Sequence, residues 1–191
     1  MKLILASASP RRAEILRDAG FDFDVVPSPI DETPLPGESP HALVQRLATA
    51  KAELVASHTS APAIVLAADT VVTLDNRIFG KPRNTDDARH MLVQLSGRTH
   101  SVLTGVTLIR LPDAQRRSFV ESTQVLFAQL SADEITRYLA TNEPHDKAGA
   151  YAIQGRAGRY IPRIEGDYFN VVGLPLSRVA QALADLGYSE D

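Results

Sequence analysis

Apolar positions along this chain follow two periods in turn. Lys2 to Ala8 is a nearly unbroken apolar run that predicts a buried strand, and Ser9-Pro10 follows as an N-cap with the proline favoured at the first helical position. Ala13, Ile15, Leu16 and Ala19 then recur at helical spacing, with Gly20 placed as the C′ residue. Phe21, Phe23 and Val25 alternate with Asp22 and Asp24, the period of a half-buried strand. Pro27, Pro29, Pro34, Pro36 and Gly37 break regular structure and put Asp31 and Glu32 in a loop.

Ser39-Pro40 repeats the cap-and-proline start and predicts a helix to about Ala56, with Leu43, Leu47, Ala50 and Leu54 on one side and Lys51 beside that face. Ala63 to Leu74 is a β-rich apolar run with one charge inside it, Asp69, and Asp75-Asn76 as its turn. Asn84 or Thr85 caps the next helix, Asp86 and Asp87 suit the positive end of its dipole, and Gly97 ends it. Strands follow at Thr99 to Leu111 and Arg117 to Leu130, with Pro112-Asp113 as the hairpin turn between them. Ser131-Ala132-Asp133-Glu134 spells a capping box for a helix to about Thr141. A glycine-punctuated stretch runs from Asp146 to Gly173, and Pro175 opens a last amphipathic helix through Leu176, Val179, Leu183 and Leu186. Interleaved strands and helices predict an α/β or α+β class with a mixed sheet, and no internal repeat or linker divides the 191 residues into independent domains.

Composition narrows the chemistry. Apolar residues make up 44% of the chain, enough for a core, and there is no cysteine, which removes disulfides, thiolate zinc sites and cysteine nucleophiles. Twenty basic and twenty-three acidic side chains leave a formal charge of −3, which argues against a partner such as a long nucleic acid or a membrane surface. After Lys2 the apolar run is short before Ser9, Pro10, Arg11 and Arg12 interrupt it, so no secretion leader is predicted. No apolar stretch reaches the ~18 residues of a membrane span, and a cytoplasmic protein is expected.

The familiar nucleotide and metal signatures are missing: there is no G-x-x-x-x-G-K-[ST], no G-x-G-x-x-G after a strand, no H-E-x-x-H and no G-x-S-x-G. The five histidines, His41, His58, His90, His100 and His145, have no ligand spacing and read as surface or packed side chains. Polar residues at element junctions are the remaining candidates. Ser7, Ser9, Arg11 and Arg12 stand where a strand becomes a helix, and arginine forks beside a helix N-terminus suit phosphate oxygens; an ordinary capped helix with solvated arginines is the plain alternative. Asp69 lies inside an apolar strand, where a carboxylate is costly unless it is paired, bound to a metal or at an exposed strand end. Asp31 and Glu32 read as loop charges, and Lys51 and Lys81 singly as surface lysines, Lys81 within the tight Gly80-Lys81-Pro82 loop. In Asp146 to Gly155 the small residues would let a ligand approach the backbone, and Gln154 can both donate and accept, which suits the edge of a base; a plain turn is the alternative.

Taken in order, S-x-S-P-R-R at Ser7 to Arg12, Asp31-Glu32, Lys51, A-D-T at Ala68 to Thr70, G-K-P at Gly80 to Pro82, S-G-x-T-H at Ser96 to His100, T-G-V at Thr104 to Val106, D-K-A-G-A-Y-x-I-Q-G at Asp146 to Gly155 and N-V-V-G-L-P at Asn170 to Pro175 resemble the Maf family of nucleoside triphosphate pyrophosphatases. The resemblance runs from about residue 3 to 185 and implies a single nucleotide pyrophosphatase domain over 1–191, with a two-lobed mixed-sheet α/β fold similar to the inosine triphosphate pyrophosphatases and a cleft between the lobes. It implies hydrolysis of a nucleoside triphosphate to monophosphate and pyrophosphate with a divalent cation, Mg²⁺ or Mn²⁺. Asp69 corresponds to the family's general base, and Ser7, Arg11, Arg12, Glu32, Lys51 and Lys81 to its phosphate and metal site, with Glu32 and Asp69 as the metal carboxylates and Ser9 on the phosphates. Arg11, Thr70 and Gln154 are similar to the set in members that take dTTP and UTP. Modified pyrimidine nucleotides are a variant of that expectation, and Arg156 to Pro162 is a variable loop beside it. The family name also records septum formation, so a nucleotide-binding regulator of cell division without turnover is the alternative, and relatives suggest a homodimer.

Overall fold

The computed structural model describes residues 1–60, 62–141 and 143–189. Among the described residues the strands β1 (Lys2–Leu5), β2 (Asp24–Val25), β3 (Ala63–Leu74), β4 (Arg77–Phe79), β5 (Thr99–Leu111), β6 (Gln115–Leu126) and β7 (Arg163–Glu165) form a seven-stranded mixed sheet in the order β2-β1-β3-β5-β6-β7, with β4 paired to β3 off this path. The chain divides into two compact units: Met1–Asp69, Thr104–Glu121 and Gly173–Asp191 form the first, Thr70–Leu103 and Ser122–Val172 the second.

In the first unit β1 (Lys2–Leu5) runs parallel to β3 (Ala63–Leu74), with Leu3 opposite Ile64 and Leu5 opposite Leu66. Every residue of β3 from Ala63 to Asp69 is buried, as expected of a strand with a parallel neighbour that is covered on both faces. Ile4, Ala6, Val65, Ala67 and Ile109 pack with Ala52 and Val55 of α2 (Pro40–Ala56) into one core. The first strand is shorter than its apolar run. After Leu5 only the Ala6 amide still reaches Leu66 O, at 2.8 Å, and the chain then turns to present Ser7. The alternation at Phe21 to Val25 yields only the two-residue β2 (Asp24–Val25), paired with β1 on one side. Its aromatic positions are spent elsewhere: Phe21 meets Tyr188 at 6.0 Å between ring centroids, and Phe23 lies 6.0 Å from the Arg17 guanidinium.

Helix α1 (Pro10–Asp18) starts at Ser9-Pro10 as its sequence predicts, but the Ser9 side chain makes no capping bond. Helix α2 is capped, with Ser39 Oγ accepting from Ala42 N at 3.2 Å. Its buried face is Leu43, Val44, Leu47, Ala48, Lys51, Ala52 and Val55, so the face is turned from the expected stripe and takes in Lys51, while Ala50 and Leu54 are half-buried. Gly105 in β5 (Thr99–Leu111) explains the turn. A Cβ at that position would stand 2.3 Å from Val44 O, so only a glycine lets the helix backbone lie this close on the strand. Lys51 is seven residues, two helical turns, beyond Val44 and therefore points the same way.

The second unit holds its own core, in which Leu92, Leu95, Val125, Phe127, Ile135 and Tyr151 are buried together. Asp75 and Asn76, with φ of 51° and 62°, make the tight turn that pairs the end of β3 with β4 (Arg77–Phe79), the backbone that a two-residue hairpin needs. Asn84 caps α3 (Thr85–Leu95) and the Ser131–Glu134 capping box opens α4 (Ala132–Leu139), two residues shorter than expected. Strand β6 (Gln115–Leu126) is displaced from the predicted Arg117 to Leu130. Past Leu126 the chain leaves the ladder, and Phe127 N and Ala128 N donate instead to Arg98 O and Tyr160 O at 3.0 and 2.8 Å. The glycine-punctuated stretch forms 3₁₀ turns at Glu143–Asp146, Ala148–Ala150 and Arg156–Tyr160, then β7 (Arg163–Glu165) and α5 (Tyr168–Val172). The last helix, α6 (Leu176–Asp185), returns to the first unit. No helix among the described residues is long and apolar enough to cross a membrane.

Candidate active site

Charged side chains cluster inside the first unit. Asp69, Lys51 and Arg12 are only 7%, 7% and 9% exposed. Such burial of ionic groups is costly unless they meet partners. Lys51 Nζ lies 2.7 Å from Asp69 Oδ1 and 2.5 Å from Glu32 Oε1, so one ammonium bridges a buried carboxylate and an exposed one. Of the alternatives open to an aspartate in an apolar strand, pairing is the one realised. Burial lifts the Asp69 carboxyl above its ordinary pKa, although Lys51 and Arg12 pull the other way. A carboxylate raised in this manner is a better proton acceptor.

Asp69 is presented where β1 has ended. Pairing of β1 with β3 stops at Leu5 and Leu66, and β3 continues past the carboxyl end of β1, the end at which open α/β sheets bind ligands. Arg12 secures this corner. Its Nε donates to Gly173 O at 2.8 Å, and Nη1 donates to Ala68 O at 2.8 Å and Ser7 Oγ at 3.1 Å. Ser7 Oγ also accepts from Ser9 N at 3.2 Å. Desolvation draws the Arg12 pKa below its usual value, opposed by Asp69 and reinforced by the like charge of Arg11. Arg11 and Ser9 are half-buried beside this network.

The Glu32 loop is held by two residues to which the sequence pattern drew no attention. Arg46 of α2 grips Glu38 through Nε and Nη2 at 2.6 and 2.8 Å, and Nη2 reaches Thr33 O at 3.2 Å. With the Leu35 amide also on Glu38, that carboxyl is held down at about 2. Asp31 makes a local turn through Thr33 N at 2.9 Å. The only sequence signal for this clamp is a glutamate just before a helix cap with an arginine eight residues on.

The remaining predicted site residues belong to the second unit. Thr70 is half-buried on β3, and Lys81 is exposed on a loop whose Gly80 O accepts from Gly149 N at 3.1 Å. Gly149 has a φ of 69°, and a Cβ there would come within 3.0 to 3.2 Å of Val72, so the small residue permits both the turn and the packing. Gln154 is exposed at the tip of a turn closed by Gly155 N to Ala152 O at 3.1 Å.

His100, expected to be a packed or surface histidine, is packed. Nε2 is 2.7 Å from Tyr151 Oη, and Nδ1 is buried with no hydrogen-bond partner among the described residues. Burial pushes the ring down to about 4. Neutral His100 therefore contributes stability that is complete above about pH 6.5 and is lost as pH falls through 4, a difference of about 3 kcal/mol. Urea unfolding at a series of pH values should show His100→Leu losing less stability than the parent between pH 7 and 4. Identical slopes would exclude His100 as the source.

Glu32 and Asp69 are the two carboxylates that converge, and no group of three or more acidic or histidine side chains forms a metal cage among the described residues. Two carboxylates fit a hard divalent cation that completes its shell with phosphate oxygens and water.

A family model described as Maf-like protein matches residues 2–186. A dTTP/UTP pyrophosphatase of Syntrophus aciditrophicus (strain SB) is 51% identical over 186 residues, spanning 97% of this chain and 90% of that protein. A dTTP/UTP pyrophosphatase of Clostridioides difficile (strain 630) is 50% identical over 183 residues, spanning 96% of this chain and 94% of that one. Among solved structures the Ham1 protein of Staphylococcus aureus is similar with a TM-score of 0.56 at 14% identity, covering 98% of this chain and all of that chain, a likeness of fold.

Proposed function

The chain belongs to the Maf-like protein family, and on that footing we propose that it hydrolyses dTTP and UTP to the nucleoside monophosphate and pyrophosphate, as one nucleotide pyrophosphatase domain over its whole length. The observation that carries this reading is identity of about half, over nearly the full chain, with proteins named dTTP/UTP pyrophosphatase. The buried Lys51–Asp69 pair with Glu32 beside it supports it. A regulator that only bound a polyanion would gain nothing from two carboxylates at that place.

In the proposed reaction a water oxygen bonds to the α-phosphorus, its proton passes to Asp69, and the bond from that phosphorus to the bridging oxygen breaks, pyrophosphate leaving with the electron pair. Lys51 holds the Asp69 carboxylate in place and supplies positive charge where negative charge spreads. A divalent cation, Mg²⁺ or Mn²⁺, held by Glu32 and Asp69 would supply charge neutralisation on the phosphate oxygens. Arg11, Arg12, Ser7, Ser9 and Lys81 are assigned to the phosphates. Gln154, with Thr70 and Arg11, is assigned to the pyrimidine, whose O4 and N3–H an amide matches with two hydrogen bonds. The reading carries a cytoplasmic setting with it, where nucleoside triphosphates are made and used.

Hydrolysis of UTP in ¹⁸O-water tests the chemistry: label is expected in UMP, and label in pyrophosphate would place attack at the β-phosphorus and overturn it. The same release assay across dTTP, UTP, CTP, GTP, ITP and methylated pyrimidine nucleotides should favour the first two or their modified forms. A preference for a purine nucleotide would overturn the substrate assignment.

A further inference from the structure

A half-buried carboxylate with no role in the reaction above underlies the turn that carries Gln154. Glu143 Oε1 accepts from Tyr138 Oη at 2.8 Å and from Ala157 N at 3.2 Å, and Oε2 accepts from Arg156 N at 2.8 Å. Its own backbone is held in turn, since Glu143 O accepts from Lys147 Nζ at 3.1 Å. Burial and the neighbouring carboxylate raise the Tyr138 hydroxyl above its ordinary pKa, which keeps it a donor.

The turn fits over this carboxylate because two of its positions are glycines. A Cβ at Gly155 would stand 2.3 to 2.5 Å from the Glu143 carboxylate, and one at Gly158 would stand 2.6 Å from Ile153 O. Gly155 N and Gly158 N close successive turns onto Ala152 O and Gly155 O, both at 3.1 Å. Gln154 stands at the exposed tip, one residue from the first glycine and two from the first amide that Glu143 binds. Two backbone amides anchored on a charged acceptor leave the tip little freedom.

We infer that Glu143 is the positioning residue for pyrimidine selectivity: by seating the 152–158 turn on its carboxylate it sets where the Gln154 amide is presented. The inference rests on the reading of Gln154 as the residue that meets the base. It separates two effects that a contact to the phosphates would merge, because it acts on substrate choice and not on the chemical step.

A double-mutant cycle with Gln154→Ala tests it, with kcat and KM measured for UTP and GTP. Glu143→Ala is expected to raise KM for UTP about tenfold with kcat changed by less than about threefold, and to shrink the UTP-to-GTP preference by about tenfold. In the Gln154→Ala background Glu143→Ala should add almost nothing, the signature of two residues that act as one. Glu143→Gln, which keeps one acceptor oxygen in the same shape, should restore part of the preference and serves where the alanine variant does not fold. Hydrogen exchange of the Arg156 and Ala157 amides should accelerate in Glu143→Ala. A preference abolished by Gln154→Ala but intact in both Glu143 variants, or effects that multiply in the double variant, would overturn this inference alone. A parent protein that does not prefer UTP to GTP would overturn the functional reading and this inference with it.

Discussion

Asp69→Asn is expected to lower kcat for UTP by about a thousandfold while UTP still binds, because the substitution keeps the shape of the side chain and removes its capacity to take a proton. A positioned general base contributes about 10² to 10⁴ in rate, and about a thousandfold is the middle of that range. The variant should also stay folded. Burial already works against the charge on Asp69, and Lys51 keeps Glu32 at 2.5 Å as a second anionic partner, so the ammonium is not left alone when the first carboxylate is neutralised. Loss of turnover with an intact unfolding curve and measurable UTP binding by calorimetry is therefore the expected combination. Turnover within tenfold of the parent would show that Asp69 is not the base.

Arg12→Met is expected to have the largest effect on stability, about 3 kcal/mol or more in urea unfolding, against total stabilities of about 5 to 15 kcal/mol for a domain. Methionine approximates the length of the stem and removes the guanidinium, which leaves the buried Ala68 and Gly173 carbonyls and the Ser7 hydroxyl without their common donor. Relief of the desolvation that draws down the Arg12 pKa offsets part of this loss and does not cancel it. Arg12→Lys should recover less than half, since an ammonium cannot reproduce a planar fork aimed at three acceptors. The neighbouring Arg11→Met, at a half-buried position, should change stability by less than about 1 kcal/mol. If the two methionine variants unfold at the same urea concentration, the assignment of Arg12 to the corner of the fold is wrong.

These adjacent arginines mark where the legibility of the sequence stops. As letters in S-P-R-R they are equivalent, and only their phase on α1 separates them: Arg12 turns inward toward Ala68 and Gly173, which lie 56 and 161 residues away along the chain. Lys51 shows the same limit. Its place in an amphipathic helix was readable, but the buried face includes it because Gly105, on a strand 54 residues later, lets α2 lie close at Val44. The Glu38–Arg46 clamp shows in the sequence only as a glutamate before a helix cap, and the bonds from the Arg156 and Ala157 amides to Glu143 show no pattern at all, since each depends on how a loop folds back over a neighbouring element.

What the sequence determined by itself is what near neighbours decide. The cap at Ser39, the box at Ser131 to Glu134, the paired positive φ at Asp75-Asn76 and the apolar run of β3 depend on residues within a few positions of one another, so their energetics are visible in short windows. The ordered motifs added the family, because they span almost the whole chain. Tertiary structure alone decided which charges are paired and which are buried. Desolvation depends on everything packed around a group, and Coulomb attraction depends on distance in space, so neither the bridge from Glu32 through Lys51 to Asp69 nor the three-way grip of Arg12 exists until the strand, helices and loop are brought together.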